Sequence, residues 1–151
     1  MAVQILCVFF VPDQSNFLQS VVNYFQHANI INGGFHEKLA IILIPNDFNF
    51  DGDPIEISNE FNRLDVTLFL IINGILNFET WNFCCKLAHN TGGDYALLEH
   101  AAIKLTNAIS LVLTGEDTLR QAFHQHIENH SIVMNNIYNV EELDFADVFE
   151  Y

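Results

Sequence analysis

Three short runs of almost unbroken apolar residues constrain the fold of this chain more than anything else in it. They are "QILCVFFV" (Gln4–Val11), "LAIILI" (Leu39–Ile44) and "VTLFLII" (Val66–Ile72). A strand with one wet face alternates apolar and polar residues. A strand covered on both faces does not, so these runs predict the buried strands of a parallel sheet. Each ends at a breaker: Pro12-Asp13, Pro45 and Asn73-Gly74.

The segments between the runs have helical spacing. In "SNFLQSVVNYFQHA", Phe17, Leu18, Val21, Val22 and Phe25 share one face, with Ser15 placed as an N-cap. "PIEISNEFNRL" predicts a short helix with Pro54 in its first turn. "NFETWNFCCKLAHN" predicts a third helix, broken by Gly92-Gly93 and resumed in "DYALLEHAAIKL". A fourth strand is expected at "AISLVLTG" (Ala108–Thr114), and a helix at "EDTLRQAFHQHIENH". A fifth strand is expected at "SIVMNNIY", followed by an acidic tail over residues 139–151 that forms a last helix. Strands alternating with amphipathic helices predict one α/β domain over residues 1–151. Its architecture is a flavodoxin-like, five-stranded parallel sheet with helices on both faces. Ligands of such sheets sit beyond the strand C-termini, which singles out Asp13, Asn46, Asp47 and Asn73.

Charge narrows the class of partner. Five Lys and Arg stand against 19 Asp and Glu, a formal net charge of −14. Such a surface repels a nucleic-acid duplex and an anionic membrane, so neither is expected as a direct partner. It speeds association with a basic protein. After Arg120 there is no Lys or Arg. The acidic residues expected to meet a basic partner are Asp51 and Asp53 in the loop before Pro54, and Glu141, Glu142, Asp144 and Asp147 in the tail. The opening "MAVQILCVFFVPDQ" lacks a basic segment ahead of its apolar run, and no run reaches the ~18 apolar residues of a spanning helix. Three cysteines, two of them adjacent, do not form a disulfide framework. A cytoplasmic protein with reduced thiols is expected.

Motifs that carry chemistry are sparse. There is no G-x-G-x-x-G and no phosphate-binding G-x-x-x-x-G-K-[ST]. Cys84 and Cys85 point about 100° apart on a helix and cannot share a metal. A catalytic thiol needs a base close in space, and His89, four residues after Cys85, lies on the same face. His126 and His130 have the i,i+4 spacing of a metal pair but no evident third ligand, so a metal site ranks last.

The stretch from Leu39 to Ala88 resembles the middle of a TIR (Toll/interleukin-1 receptor) domain. Gly52-Asp53-Pro54-Ile55 matches the end of that family's loop after its second strand, and Val66–Ile72 matches the third strand. Trp81 matches the tryptophan of an "S-x-W-x-x-x-E-L" segment that opens the third helix, with Leu87 close to its apolar position. "VFFVPDQ" loosely resembles the family's first strand and acid. The resemblance implies a TIR-like fold. Enzymatic members hydrolyse NAD and depend on the glutamate four residues after the tryptophan, which here is Cys85. A thiol cannot supply a carboxylate's charge to an oxocarbenium-like centre. Glu79 is the nearest carboxylate, but it precedes Trp81. The expected function is therefore a non-catalytic, acidic interaction module that binds a basic partner or itself, such as an inhibitor or immunity-type protein covering a toxin or defence effector. No cofactor is expected. The alternative is a TIR-like enzyme or receptor holding an NAD-type nucleotide beside Asn73–Glu79, with Trp81 in its cleft.

Overall fold

The computed structural model describes residues 5–12, 16–31, 37–45 and 47–124. In chain order the elements are β1 (Ile5–Phe10), α1 (Phe17–Ile31), β2 (Glu37–Pro45), α2 (Pro54–Arg63), β3 (Val66–Asn73), α3 (Phe78–Asn90), β4 (Asp94–Leu97) and α4 (Leu98–Leu113). Residues 119–124 are again helical. The expected fifth strand, the acidic tail with Glu141, Glu142, Asp144 and Asp147, the pair His126 and His130, Ser15, and the strand-end residues Asp13 and Asn46 lie outside the described residues.

The three apolar runs form β1, β2 and β3, but β1 departs from the buried strand expected: it pairs with β2 alone among the described strands, none of its residues is fully buried, and Cys7 and Phe9 are exposed. Every described pairing is parallel, with Phe9 beside Ile41, Ile41 beside Phe69, and Phe69 beside Asp94. β3 is buried from Val66 to Ile72 because both of its faces are covered. The strand order is β1-β2-β3-β4. This corrects the flavodoxin-like expectation, whose order 2-1-3-4-5 reverses direction once and opens a crevice at the reversal. Among the four described strands the winding does not reverse. Right-handed crossovers that always step the same way leave their helices on one side. Accordingly α1, α2 and α3 all pack on the face of Ala40, Ile42, Leu68 and Leu70, through residues such as Phe25, Phe61 and Leu87. The other face, with Leu39, Ile41, Phe69 and Ile71, is covered by α4 and by Leu119, Ala122 and Phe123. Helices thus lie on both faces, but for a different topological reason from the one expected.

The fourth strand is Asp94–Leu97, and the segment expected to form it, from Ala108 onward, is the C-terminal part of α4. Ala101, Ala108 and Val112 are buried on one side of that helix, with Leu105 and Ile109 partly buried beside them. The run "AISLVL" looks strand-like alone, but it continues a helical stripe that begins at Ala101.

The link between α3 and β4 is tight. The Thr91 hydroxyl donates to the Ala88 carbonyl (2.8 Å) and accepts the Leu68 amide of β3 (3.1 Å). That amide lies one residue before the β3–β4 pairing begins, so a side chain stands in for the missing strand. A Cβ on Gly93 would sit 1.7 Å from the Leu68 carbonyl oxygen, so only glycine lets the chain pass here.

Candidate functional site

At the C-terminal end of the sheet, the β1–β2 side is filled. The loop after β2 folds Phe48 and Phe50 inward. Phe48 meets Phe17 edge-on at 5.4 Å, and Phe50 stacks on Phe83 of α3 at 4.7 Å. Asp47 is exposed on this loop, above the aromatic block. The β3–β4 side is open. A pocket of 410 Å³ lies between the loop after β3 and the start of α4, lined by Ile72, Asn73, Gly74, Ile75, Leu98 and Glu99 among others. Asn73 ends β3 and lines this pocket. Ile75 and Phe78 are each 62% exposed and Leu98 is 51% exposed. Leu76, between Ile75 and the cap Asn77, is buried and anchors the loop. Asn77 caps α3, its Oδ1 accepting the Thr80 amide at 2.8 Å. Glu79 follows in the first turn and is exposed. Among the described residues, no Lys, Arg or His lines the pocket, and the start of α4 is its one electropositive element. Ile75 and Leu98 were not singled out by sequence as binding residues.

Trp81 does not line that pocket. It is half-buried and meets Tyr95 of β4 edge-on at 5.1 Å. One turn later stands Cys85. Burial pushes its thiol up to about 11, with the Asp94 charge adding to the rise and a hydrogen bond from Tyr95 opposing it. Cys84 is fully buried and is raised further, by burial and then by Cys85. At neutral pH Cys85 is therefore a thiol, neither the carboxylate of a TIR-like enzyme nor a thiolate nucleophile. Among the described residues, no group of three or more His, Cys, Asp or Glu is arranged to hold a metal.

Beneath Tyr95 lies a group that the sequence did not single out. Asp94 is 2% exposed. Its Oδ1 accepts the Tyr95 amide at 2.8 Å, and its Oδ2 lies 3.4 Å from Lys104 Nζ of α4. Lys104 also donates to the Tyr95 carbonyl at 3.2 Å. His89 Nε2 stands 3.9 Å from Asp94 Oδ1, and the His89 ring lies 5.4 Å from the Tyr95 ring. Cys85, His89 and Asp94 recur in the order of a nucleophilic triad, and burial keeps the thiol protonated at rest. The group is a buried ion pair with a histidine at its edge.

That histidine makes stability depend on pH. Burial lowers the His89 pKa below its ordinary 6.5, against the pull of Asp94 and with help from Lys104. As pH falls, the unfolded chain therefore takes up this proton before the folded one. The contribution is complete above about pH 6.5 and is lost as pH falls toward the depressed folded value. Melting temperatures measured from about pH 7.5 down to about pH 5 should fall less steeply in His89→Gln than in the parent. Equal slopes would show that His89 does not carry the effect.

A second concavity of 530 Å³ lies between α1 and α2, bordered by Asp51, Glu56, Glu60 and Arg63 with Gln19 and Asn59. Arg63 is held by Glu60 at 2.6 Å. Asp53 serves the fold directly: its Oδ1 caps α2 by accepting the Ile55 amide at 2.9 Å.

No protein-family model, curated protein or solved structure matches this chain. Function is therefore read from the chemistry of these surfaces. No helix among the described residues is long and apolar enough to cross a membrane.

Proposed function

We propose that this protein is a non-catalytic, acidic interaction module on an α/β sheet, and that its partner is a basic protein. One observation carries the reading. At the strand ends, where an open α/β sheet receives its ligand, the open pocket presents apolar and acidic side chains and no cation. A nucleotide's phosphates would meet no described side-chain cation there, only the first turn of α4, where the Glu99 carboxylate opposes them. A partner bearing apolar anchors and positive charge would be complemented there. Cys85 supports the same reading, because a protonated thiol occupies the position where a TIR-like enzyme would need a charge. The net charge of −14 favours steered encounter with a basic surface. An inhibitor or immunity-type protein that covers a basic toxin or effector is the sharpest form of this function.

Two measurements test it. Incubation with NAD should release no nicotinamide, and Cys85→Glu should not create that activity. The new carboxylate would enter a half-buried position beside Asp94, where the variant is expected to lose stability. NAD turnover by the parent that disappears in Glu79→Gln would overturn the proposal. Proteins captured at low salt should be basic and should be released as salt rises, since screening weakens exposed charge pairs. Capture indifferent to salt would remove the electrostatic basis of the reading.

A further inference from the structure

The interaction surface itself can be assigned. We infer that the apolar end of the sheet around Ile75, Phe78 and Leu98 is the docking site, and that its occupant is a segment of a foreign protein carrying apolar anchors flanked by Lys or Arg. The inference rests on the interaction-module reading above and locates it.

Three large apolar side chains, each more than half exposed, gather at one end of the molecule. Ile75 and Leu98 border the same 410 Å³ pocket from opposite sides, and Phe78 opens α3 three residues beyond Ile75. A pocket of this volume accepts a large side chain. Buried aromatic or aliphatic anchors seated in such pockets supply most of the affinity at protein interfaces. The surface is pre-formed, since Leu76 is buried behind it and both flanking helices begin there.

Charge decides between occupants. Glu99 lines the pocket in the first turn of α4, with His100 Nε2 3.7 Å from it, and Glu79 stands in the first turn of α3 next to Phe78; among the described residues no cation lines the pocket. A second copy of this chain brings a net charge of −14 to that rim. The chain's own C-terminus brings Glu128, Glu141, Glu142, Asp144, Asp147 and Glu150, with no Lys or Arg after Arg120. Both are repelled. A segment with Lys or Arg on either side of an apolar anchor pairs with both glutamates while its anchor fills the pocket. Such a segment is most simply an amphipathic helix laid across the end of the sheet.

The probe is a synthetic amphipathic peptide with Leu and Trp on one face and Lys on the other, titrated calorimetrically at low salt. Two controls accompany it. In one, Ser replaces the apolar residues. In the other, Glu replaces Lys. The first peptide should bind and neither control should. The double variant Ile75→Ser/Leu98→Ser should weaken binding about tenfold or more. Both positions are exposed, so its far-UV circular dichroism and melting temperature should stay close to those of the parent. Glu79→Gln/Glu99→Gln should weaken binding and flatten its salt dependence. Equal binding of the Glu-bearing peptide, or full binding by the serine double variant, would overturn the inference. If Asp51→Asn/Glu56→Gln in the α1–α2 cleft abolishes binding instead, the basic-partner reading survives and this surface is wrong. If no basic peptide binds at low salt, the reading itself fails. A dimer dissolved by the serine variant, or an acidic tail that the variant releases to protease, would give the patch to a second copy or to the chain's own C-terminus and overturn the assignment.

Discussion

Gly93→Ala is expected to leave no cooperatively folded protein. The added Cβ would lie 1.7 Å from the Leu68 carbonyl oxygen, 2.8 Å from its carbon and 3.2 Å from its nitrogen. All three atoms belong to the backbone of β3, the most buried strand among those described. No flexible side chain is available to move aside. Relief would require β4 to withdraw from β3, which would break the Thr91–Leu68 bond and the pairing that starts at Asp94. A loss of more than about 4 kcal/mol is expected, against a total stability of about 5–15 kcal/mol for a domain of this kind. Urea unfolding followed by circular dichroism, with recovery of soluble protein, is the measurement. Gly115→Ala is the contrast. Its φ is +79° and nothing lies within 4 Å of the added carbon, so only local strain of about 1–2 kcal/mol is expected. A Gly93→Ala protein as stable as Gly115→Ala would contradict the packing at this link.

Lys104→Met is the second large effect. It removes the cation from a carboxylate that is 2% exposed, leaving Asp94 with the Tyr95 amide and, 3.9 Å away, the His89 ring. Breaking a buried pair by deleting one partner costs about 3–5 kcal/mol, because the other charge stays behind uncompensated. Asp94→Asn keeps an oxygen for the Tyr95 amide while removing the charge. Added to Lys104→Met, it should therefore recover a large part of the loss. The four proteins form a double-mutant cycle, read by urea denaturation at neutral pH, with an expected coupling of about 2 kcal/mol. Additive losses would mean that the lysine acts through its packing on the Tyr95 ring, 5.9 Å away, and not through its charge.

These two sites also mark where the sequence stops being legible. β2 and β3 can be read from it because each is a continuous apolar run stopped by Pro or Gly, and cover on both faces leaves no other pattern; β1 has the same signature but is only half-buried, with Cys7 and Phe9 exposed. α2 and α3 can be read from Asp53-Pro54 and Asn77, whose side chains cap them as the local chemistry requires. β4 cannot. It has four residues, begins with a buried charge, and exists because Gly93 and Thr91 fit the backbone of a strand more than 20 residues earlier. Periodicity over a window that contains both β4 and α4 sees mainly the helix. The strand order is likewise invisible locally, since every crossover has the same apolar signature whichever neighbour it joins. At the candidate site, Asn73 was singled out from its place at a strand end. Ile75 and Leu98 were not, because 23 residues separate them and an exposed apolar residue is unremarkable until a second one faces it across a pocket. Asp94 and Lys104 escaped notice for the same reason: ten residues apart, they meet only because α4 turns back over β4.

The one-directional winding bears on how the chain is made. In an order that reverses, such as 2-1-3-4-5, one strand must pair with a partner made two crossovers earlier. Here β2 emerges with β1 already made, β3 with β2, and β4 with β3. Each new strand finds a parallel partner that left the ribosome one helix earlier. Assembly can therefore keep pace with translation, and the sequence separation of the sheet contacts stays near the minimum a parallel sheet allows. The exposed strand edge moves forward with the growing chain, and the next βα unit covers it as that unit appears.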